Sequence, residues 1–483
     1  VVQGRLGQWI GGNEVFGGAE TFEVIAPATE ERLGVAEVAS REAVDAAVRA
    51  AAEAQERWGA LAARERARAI ERLADRLEER LEELASLEAS DTGKPLSLAR
   101  SLDIPRSVLN FRFFADYVAT LGTEAFATDD VAINYALRRP LGVVGLISPW
   151  NLPLLLLTWK VAPAIAAGNG VVAKPAELTP LTAYELGRAA VEAGLPAGLI
   201  NVVNGFGPAS TGEHLVAHPG VAGISLTGET TTGQAVMANA AKTLKRLSFE
   251  LGGKNPVLVF ADCNLDEAIE TTVRSSFVNQ GEVCLCGSRI YVEEPIYDVF
   301  VERLVERARS LRVGDPFDPE TDMGALISAE HRERVQGFVE RAVDDGARVL
   351  VGGGRPAHLE RGYYFEPTVL VDVKPRCEIV TEEVFGPVVT VEPFREEAEA
   401  VRLANDTRYG LAATVWTENL SRAHRVARQL EAGIVWVNTW FLRDLRTPFG
   451  GMKDSGIGRE GGVHSFEFYT ELTNVCIRVG EAQ

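Results

Sequence analysis

Within residues 62–91, "ARERARAIERLADRLEERLEELASLEAS" returns Ala, Ile and Leu every three or four positions among Glu and Arg, and a similar rhythm runs through 41–58. That period is helical, so both stretches are expected to be helices whose i,i+4 Glu/Arg pairs face water. At 131 the rhythm changes. β-formers crowd "VAINYALRRPLGVVGLIS", and short apolar runs follow at 143–148, 170–175, 199–205, 221–228 and 256–262, with helical stretches at 181–194, 209–217 and 230–243 between them. Strands apolar on both faces and alternating with helices predict a parallel sheet covered on both sides. A second series follows, with helices at 265–279, 295–311, 329–345, 396–405 and 421–431 and strands at 288–293, 347–352, 388–391, 411–416 and 433–437. The expected fold class is α/β, with two parallel-sheet domains in series. The tail 466–483, with "FEFYTELTNVCIRV", reads as strand outside either series.

Composition narrows the partners. A formal charge of −19 over 483 residues argues against nucleic acid or an anionic membrane surface. No apolar run reaches the ~18 residues of a membrane span, and "VVQGRLGQWIGGNEVFGG" lacks a signal-peptide core. The expectation is a cytoplasmic protein with reduced thiols. This bears on the five cysteines. In "NQGEVCLCGSR" (279–289), Cys284 and Cys286 stand too close for good disulfide geometry, and Cys263, Cys377 and Cys476 follow no framework spacing. His214 and His218 have no second Cys pair to complete a ligand set, so no metal is expected. An inert buried thiol and a nucleophile both stay open for Cys284.

Several motifs end predicted strands. "LTGETTTG" (226–233) opens a helix, and its Gly228 and Gly233 suit a tight turn and close packing where free N–H groups can meet a pyrophosphate. In "VVAKPAE" (171–177), Lys174 and Glu177 lie where parallel sheets bind ligands; a carboxylate there can accept ribose hydroxyls and repel a 2′-phosphate, or simply pair with the lysine. "SPWNLP" (148–153) offers the Asn151 amide to a developing oxyanion, and "SFELGGKNP" (248–256) holds Glu250 as a candidate base.

Taken in order, "PWNLP", "KPAE", "LTGETTTG", "ELGGKNP", "NQGEVCLCGSR", "EEVFGP" (382–387) and "PFGGMKDSGIGRE" (448–460) resemble the aldehyde dehydrogenase superfamily over essentially the whole chain. The resemblance implies Cys284 as nucleophile, Asn151 as oxyanion donor and Glu250 as the base that activates water. It further implies NAD as cofactor, with Trp150, Lys174, Glu177, Gly228, Gly233, Glu383 and Phe385 around it, and a proton relay through Lys160 and Glu460. The implied division is an NAD-binding domain (1–122 and 141–252), a catalytic domain (253–445) and a small β oligomerisation element (123–140 and 446–483), giving a homodimer or homotetramer. Two departures stand out: Glu282 where Gln is usual, and Glu229 where Ser often meets a pyrophosphate.

"LDIPRSVLNF" (102–111), "FLRDLRTPFGG" (441–451) and the tail resemble the 2-hydroxymuconic and 2-aminomuconic semialdehyde dehydrogenases within that superfamily. This implies an aldehyde substrate with a remote carboxylate, held by Arg106 and Arg446, whose planar forks grip carboxylates as lysine does not. Ion pairing of these arginines, for instance with Asp444, is the competing reading. The hydroxy substrate is favoured; the amino analogue, succinic semialdehyde and a broad aldehyde range are the alternatives.

Overall fold

The computed structural model describes residues 4–480; residues 1–3 and 481–483, the outermost parts of the expected NAD-binding and oligomerisation segments, lie outside them. An eight-stranded sheet runs in the order Gly456–Ile457, Arg246–Glu250, Gly223–Thr227, Val143–Ile147, Gly170–Lys174, Ile200–Val202, Gln8–Ile10, Asn13–Val15. Its five central strands are parallel and its two edges antiparallel. The strands 170–174, 200–202 and 223–227 are buried throughout, as expected of apolar strands sandwiched between helices. A seven-stranded sheet follows, ordered Arg348–Val351, Thr368–Val371, Val388–Phe394, Gly287–Glu293, Asn255–Val259, Ala412–Trp416, Ile434–Val437, parallel except at its first pair.

The central strands of the first sheet share one direction, so their C-terminal ends collect along one edge. Ile147 pairs with Lys174, and Thr227 with Glu250. Four of the motifs therefore open onto the same side of the sheet.

Two expected elements differ in detail. The long helix 62–91 is two helices, Ala63–Glu79 and Leu81–Thr92, broken at Arg80. The Arg80 guanidinium is buried there, paired with Glu83 and Glu185. In the tail, 466–469 is not strand but the end of the helix Gly462–Tyr469, because Phe466 and Tyr469, three apart, both bury; Phe466 stacks on Tyr117 with centroids 5.7 Å apart. The strand proper, Thr470–Arg478, pairs antiparallel with Ala132–Pro140, which also pairs with Ala125–Thr128. Short N-terminal strands, among them Thr21–Ala26 and Glu31–Glu37, form a further small sheet with Arg5–Leu6.

Candidate active site

The helix Leu265–Phe277 delivers the chain to Cys284 through three consecutive left-handed residues, Asn279, Gln280 and Gly281 (φ 51°, 57° and 71°). Asn tolerates that region better than most residues. Gly281 has no alternative: a Cβ would lie 2.3 Å from the Gly386 carbonyl oxygen. Hydrogen bonds then clamp the loop. Asn255 Nδ2 donates to the carbonyls of Cys284 (2.8 Å) and Cys286 (2.9 Å), and Trp440 Nε1 donates to Leu285 (3.0 Å). Cys284 is partly exposed, whereas Cys286 is buried against Val283, Leu285, Trp436 and Trp440. Burial pushes the Cys286 thiol up to about 12. The Cys284 thiol is raised as well, by desolvation and then by the carboxylates of Glu383 and Glu250.

Asn151 is buried, and its side-chain Nδ2 donates to the Glu282 carbonyl at 2.7 Å. That acceptor fixes which end of the amide is nitrogen and leaves its second hydrogen for another acceptor. Glu282 is buried two residues before the cysteine, accepts the Ile327 N–H at 3.0 Å, and is driven toward its neutral form by burial. It acts as a fastener of the loop, the position a glutamine amide would fill equally well. Glu250 ends its strand buried, and neither carboxylate oxygen has a hydrogen-bond partner among the described residues. Desolvation and then the charge of Glu460 raise its pKa well above the ordinary carboxylate range, against the pull of Lys160 and Arg443. Glu460 Oε1 is 2.7 Å from Lys160 Nζ, and Ser225 Oγ lies 3.0 Å from that ammonium. A buried Lys–Glu pair thus adjoins an unpartnered carboxylate.

Along the same edge lie the other expected residues. Lys174 is buried with Glu177 3.4 Å away. The helix Thr230–Ala240 begins at Glu229 without a side-chain cap, which leaves its first N–H groups unspent. Glu229 instead meets Arg334 at 3.0 Å, so its charge is balanced by a guanidinium. At Gly233 a Cβ would come within 2.9 Å of the Leu251 side-chain end, so close packing favours glycine there; Gly228 has no such neighbour. Gly253 N–H donates to Glu383 at 2.9 Å, and burial pushes that carboxyl up to about 7. Trp150 meets Phe385 edge to face at 5.2 Å and His331 at 5.3 Å, and His331 Nε2 lies 2.7 Å from the Phe385 carbonyl. His331, which the sequence reading passed over, is a support for this aromatic pair. Burial lowers its pKa to about 4 and keeps the ring neutral.

The arginines require a correction. Arg446 points to solvent: its side chain is 73% exposed, and its Nε and Nη2 both bond Asp444, with an Nη2–Oδ2 distance of 2.6 Å. The pairing with Asp444 named as the competing reading is what forms. Arg443, three residues earlier, takes the inward place. Its guanidinium lies 3.8 Å from the Phe449 ring centroid and 4.2 Å from that of Trp159. Desolvation and then repulsion from Arg106 lower its pKa to about 9, opposed by Glu460, Glu250 and Cys284. Arg106 is also lowered by burial. In each, the buried Nη2 has no hydrogen-bond partner among the described residues.

Among the described residues no group of His, Cys, Asp and Glu is arranged to hold a metal, and no helix is long and apolar enough to cross a membrane.

The sequence model of the aldehyde dehydrogenase family matches residues 15–475. A 2-hydroxymuconic semialdehyde dehydrogenase from Pseudomonas sp. (strain CF600) is 56% identical over 467 residues, covering 95% of this chain and 96% of that protein. A 2-aminomuconic 6-semialdehyde dehydrogenase from Pseudomonas sp. is 50% identical over 469 residues, at 95% and 96% coverage. The NAD+ complex of an aldehyde dehydrogenase from Bacillus cereus superposes with a TM-score of 0.95 at 41% identity, covering 99% of this chain and 97% of that one.

Proposed function

The chain belongs to the aldehyde dehydrogenase family, and from that premise we propose that it oxidises a semialdehyde acid, 2-hydroxymuconic semialdehyde by preference, to the dicarboxylic acid with NAD. The residues fit the dinucleotide: unspent N–H groups at the start of 230–240 suit phosphates, while Glu177 beside Lys174, and Glu383, are acceptors for ribose hydroxyls. When bound, NAD supplies the acceptor for the hydride that leaves the aldehyde carbon. The protein does the rest. The Cys284 thiol gives up its proton to water as its sulfur bonds to that carbon, and the second amide hydrogen of Asn151, with the Cys284 N–H, holds the resulting oxyanion. Loss of hydride leaves a thioester on Cys284. Glu250 takes a proton from water as the water oxygen bonds the thioester carbon, the C–S bond breaks, and the acid departs. The Lys160–Glu460 pair carries that proton away from Glu250.

The observation that favours a substrate with its own carboxylate is the pair of unpartnered guanidinium nitrogens of Arg106 and Arg443. The names of the two relatives favour a muconic skeleton, and the higher identity favours the hydroxy form. A charge-assisted contact contributes ~1.5–3 kcal/mol, so Arg443→Ala or Arg106→Ala should lower kcat/KM toward a semialdehyde acid by roughly one to two orders of magnitude. Toward a neutral aldehyde of similar size the loss should be small, and Arg446→Ala should leave both within about twofold, as for an exposed ion pair. Equal losses on acid and neutral aldehyde would make the arginines structural. A panel of muconic and succinic semialdehydes, read by NADH absorbance, separates the skeletons.

Glu177 would oppose a 2′-phosphate, so kcat/KM for NAD should exceed that for NADP by at least about tenfold, ~1.4 kcal/mol. Equal efficiencies would remove Glu177 from the ribose. The sheet formed by 125–128, 132–140 and 470–478 exposes Phe126, Ile133, Leu137, Leu472 and Ile477. We assign this apolar surface and its open edge to subunit association as a homodimer or homotetramer. Sedimentation of a monomer at micromolar concentration would refute it.

A further inference from the structure

Lys94 is fully buried directly after Gly93, which closes the helix Leu81–Thr92 in a left-handed turn (φ 77°). Its ammonium is ion-paired with the fully buried Asp103 and donates a 2.9 Å hydrogen bond to the main-chain carbonyl of Asn151. Asn279 Nδ2 donates to that same carbonyl at 3.2 Å and to the Glu282 carbonyl at 3.2 Å. The Asn151 side chain, at the other end of the residue, is bonded to the Glu282 carbonyl. Three residues on, Leu154 N–H donates to the buried Glu88 at 3.3 Å. The helix 81–92 and the residues after it thus peg the 151–154 segment at two points, and Lys94 holds the residue whose amide must be placed.

Burying an ammonium is unfavourable by several kcal/mol unless a charge and hydrogen bonds compensate it. Here the compensation fixes a geometry: one carboxylate locks the lysine, and the lysine locks one carbonyl. We propose that Lys94, anchored by Asp103, is a positioning residue for the oxyanion-stabilising amide of Asn151. The proposal rests on the role given to Asn151 above.

A double-mutant cycle tests it, read by the first-turnover burst of NADH in the NAD-bound enzyme. Asn151→Ala alone should slow the burst by about 100-fold or more. A loss below about threefold there would withdraw the oxyanion role of Asn151, and the proposal with it, whatever Lys94 does. Lys94→Met keeps the chain length and removes the charge. It should slow the burst about 10–100-fold, with the aldehyde KM changed less than about threefold, because a misplaced donor acts on the transition state. In the Asn151→Ala background the same substitution should cost less than about threefold, since the group it positions is gone. A purely structural lysine would cost the same in both. Equal losses in the two backgrounds, or a folded Lys94→Met enzyme with the parental burst, overturn the proposal. Should Lys94→Met fail to fold, Asp103→Asn carries the same cycle under the same criteria; failure of both to fold would assign the pair to stability and overturn it too.

Discussion

Cys284→Ala is expected to lower turnover by on the order of 10⁴-fold or more, the scale seen when a covalent nucleophile is removed, while NAD still binds. Nothing nearby can substitute. Cys286 is two residues away, but it is buried in apolar contacts with its carbonyl tied to Asn255. Cys286→Ala should therefore retain most activity, with any loss arising from packing. The Cys284 thiol is itself raised by desolvation and by the carboxylates of Glu383 and Glu250, so alkylation of the free enzyme by iodoacetamide should be slow at neutral pH and accelerate as pH rises. Activity surviving in Cys284→Ala and vanishing in Cys286→Ala would reverse the assignment.

Glu250→Gln is expected to leave the first turnover largely intact and to slow the steady state by about 10²–10⁴-fold, the usual contribution of general-base catalysis. A burst of NADH close to one per active site should precede the slow phase. The pH dependence follows from the sign of its shift. A base must be ionised to act, and desolvation with the neighbouring Glu460 charge raises the Glu250 pKa well above that of an ordinary carboxylate. Hydrolysis should thus be full above that raised value and be lost as pH falls through it. A steady state limited by hydrolysis that stayed flat down to the ordinary carboxylate range, or a variant with no burst, would remove Glu250 from this role.

Much of this was legible in the sequence, for a physical reason. Strands buried on both faces write themselves as apolar runs, and the residues that end them fall on one edge, so Asn151 and Lys174 could be placed at strand ends before any coordinates; the strand Arg246–Glu250 is only partly buried at its start and leaves no such run, and only family resemblance joined Glu250 to them. The short N-terminal strands left no such mark. They alternate exposed and half-buried positions, and Gln8 is fixed by partners remote in sequence, Glu37 and Asn204. Lys160 and Glu460 stand 300 residues apart, and only family resemblance suggested their meeting. The choice between Arg443 and Arg446 turned on a loop that periodicity does not describe. A local signal was present: Asp444 accepts the main-chain N–H of Arg446 at 2.9 Å, the turn in which an Asp binds the residue two places on, and it captures that arginine's side chain as well.

The edge strand Gly456–Ile457 completes the first sheet against Arg246–Glu250, pairing Glu250 with Gly456, and Leu251 N–H meets the Ser455 carbonyl at 2.9 Å. In the life of a nascent chain this imposes an order. The strand that carries the base leaves the ribosome roughly 200 residues ahead of its cover, on the order of 10–40 s at roughly 5–20 residues per second. Throughout that interval its edge is open, and neither Glu460 nor Gly450, both of which adjoin the Glu250 carboxylate, has been made. The surroundings of Glu250 are thus completed by residues made roughly 200 positions after it, and a ribosome that stops before them releases a protein whose first sheet lacks this edge strand.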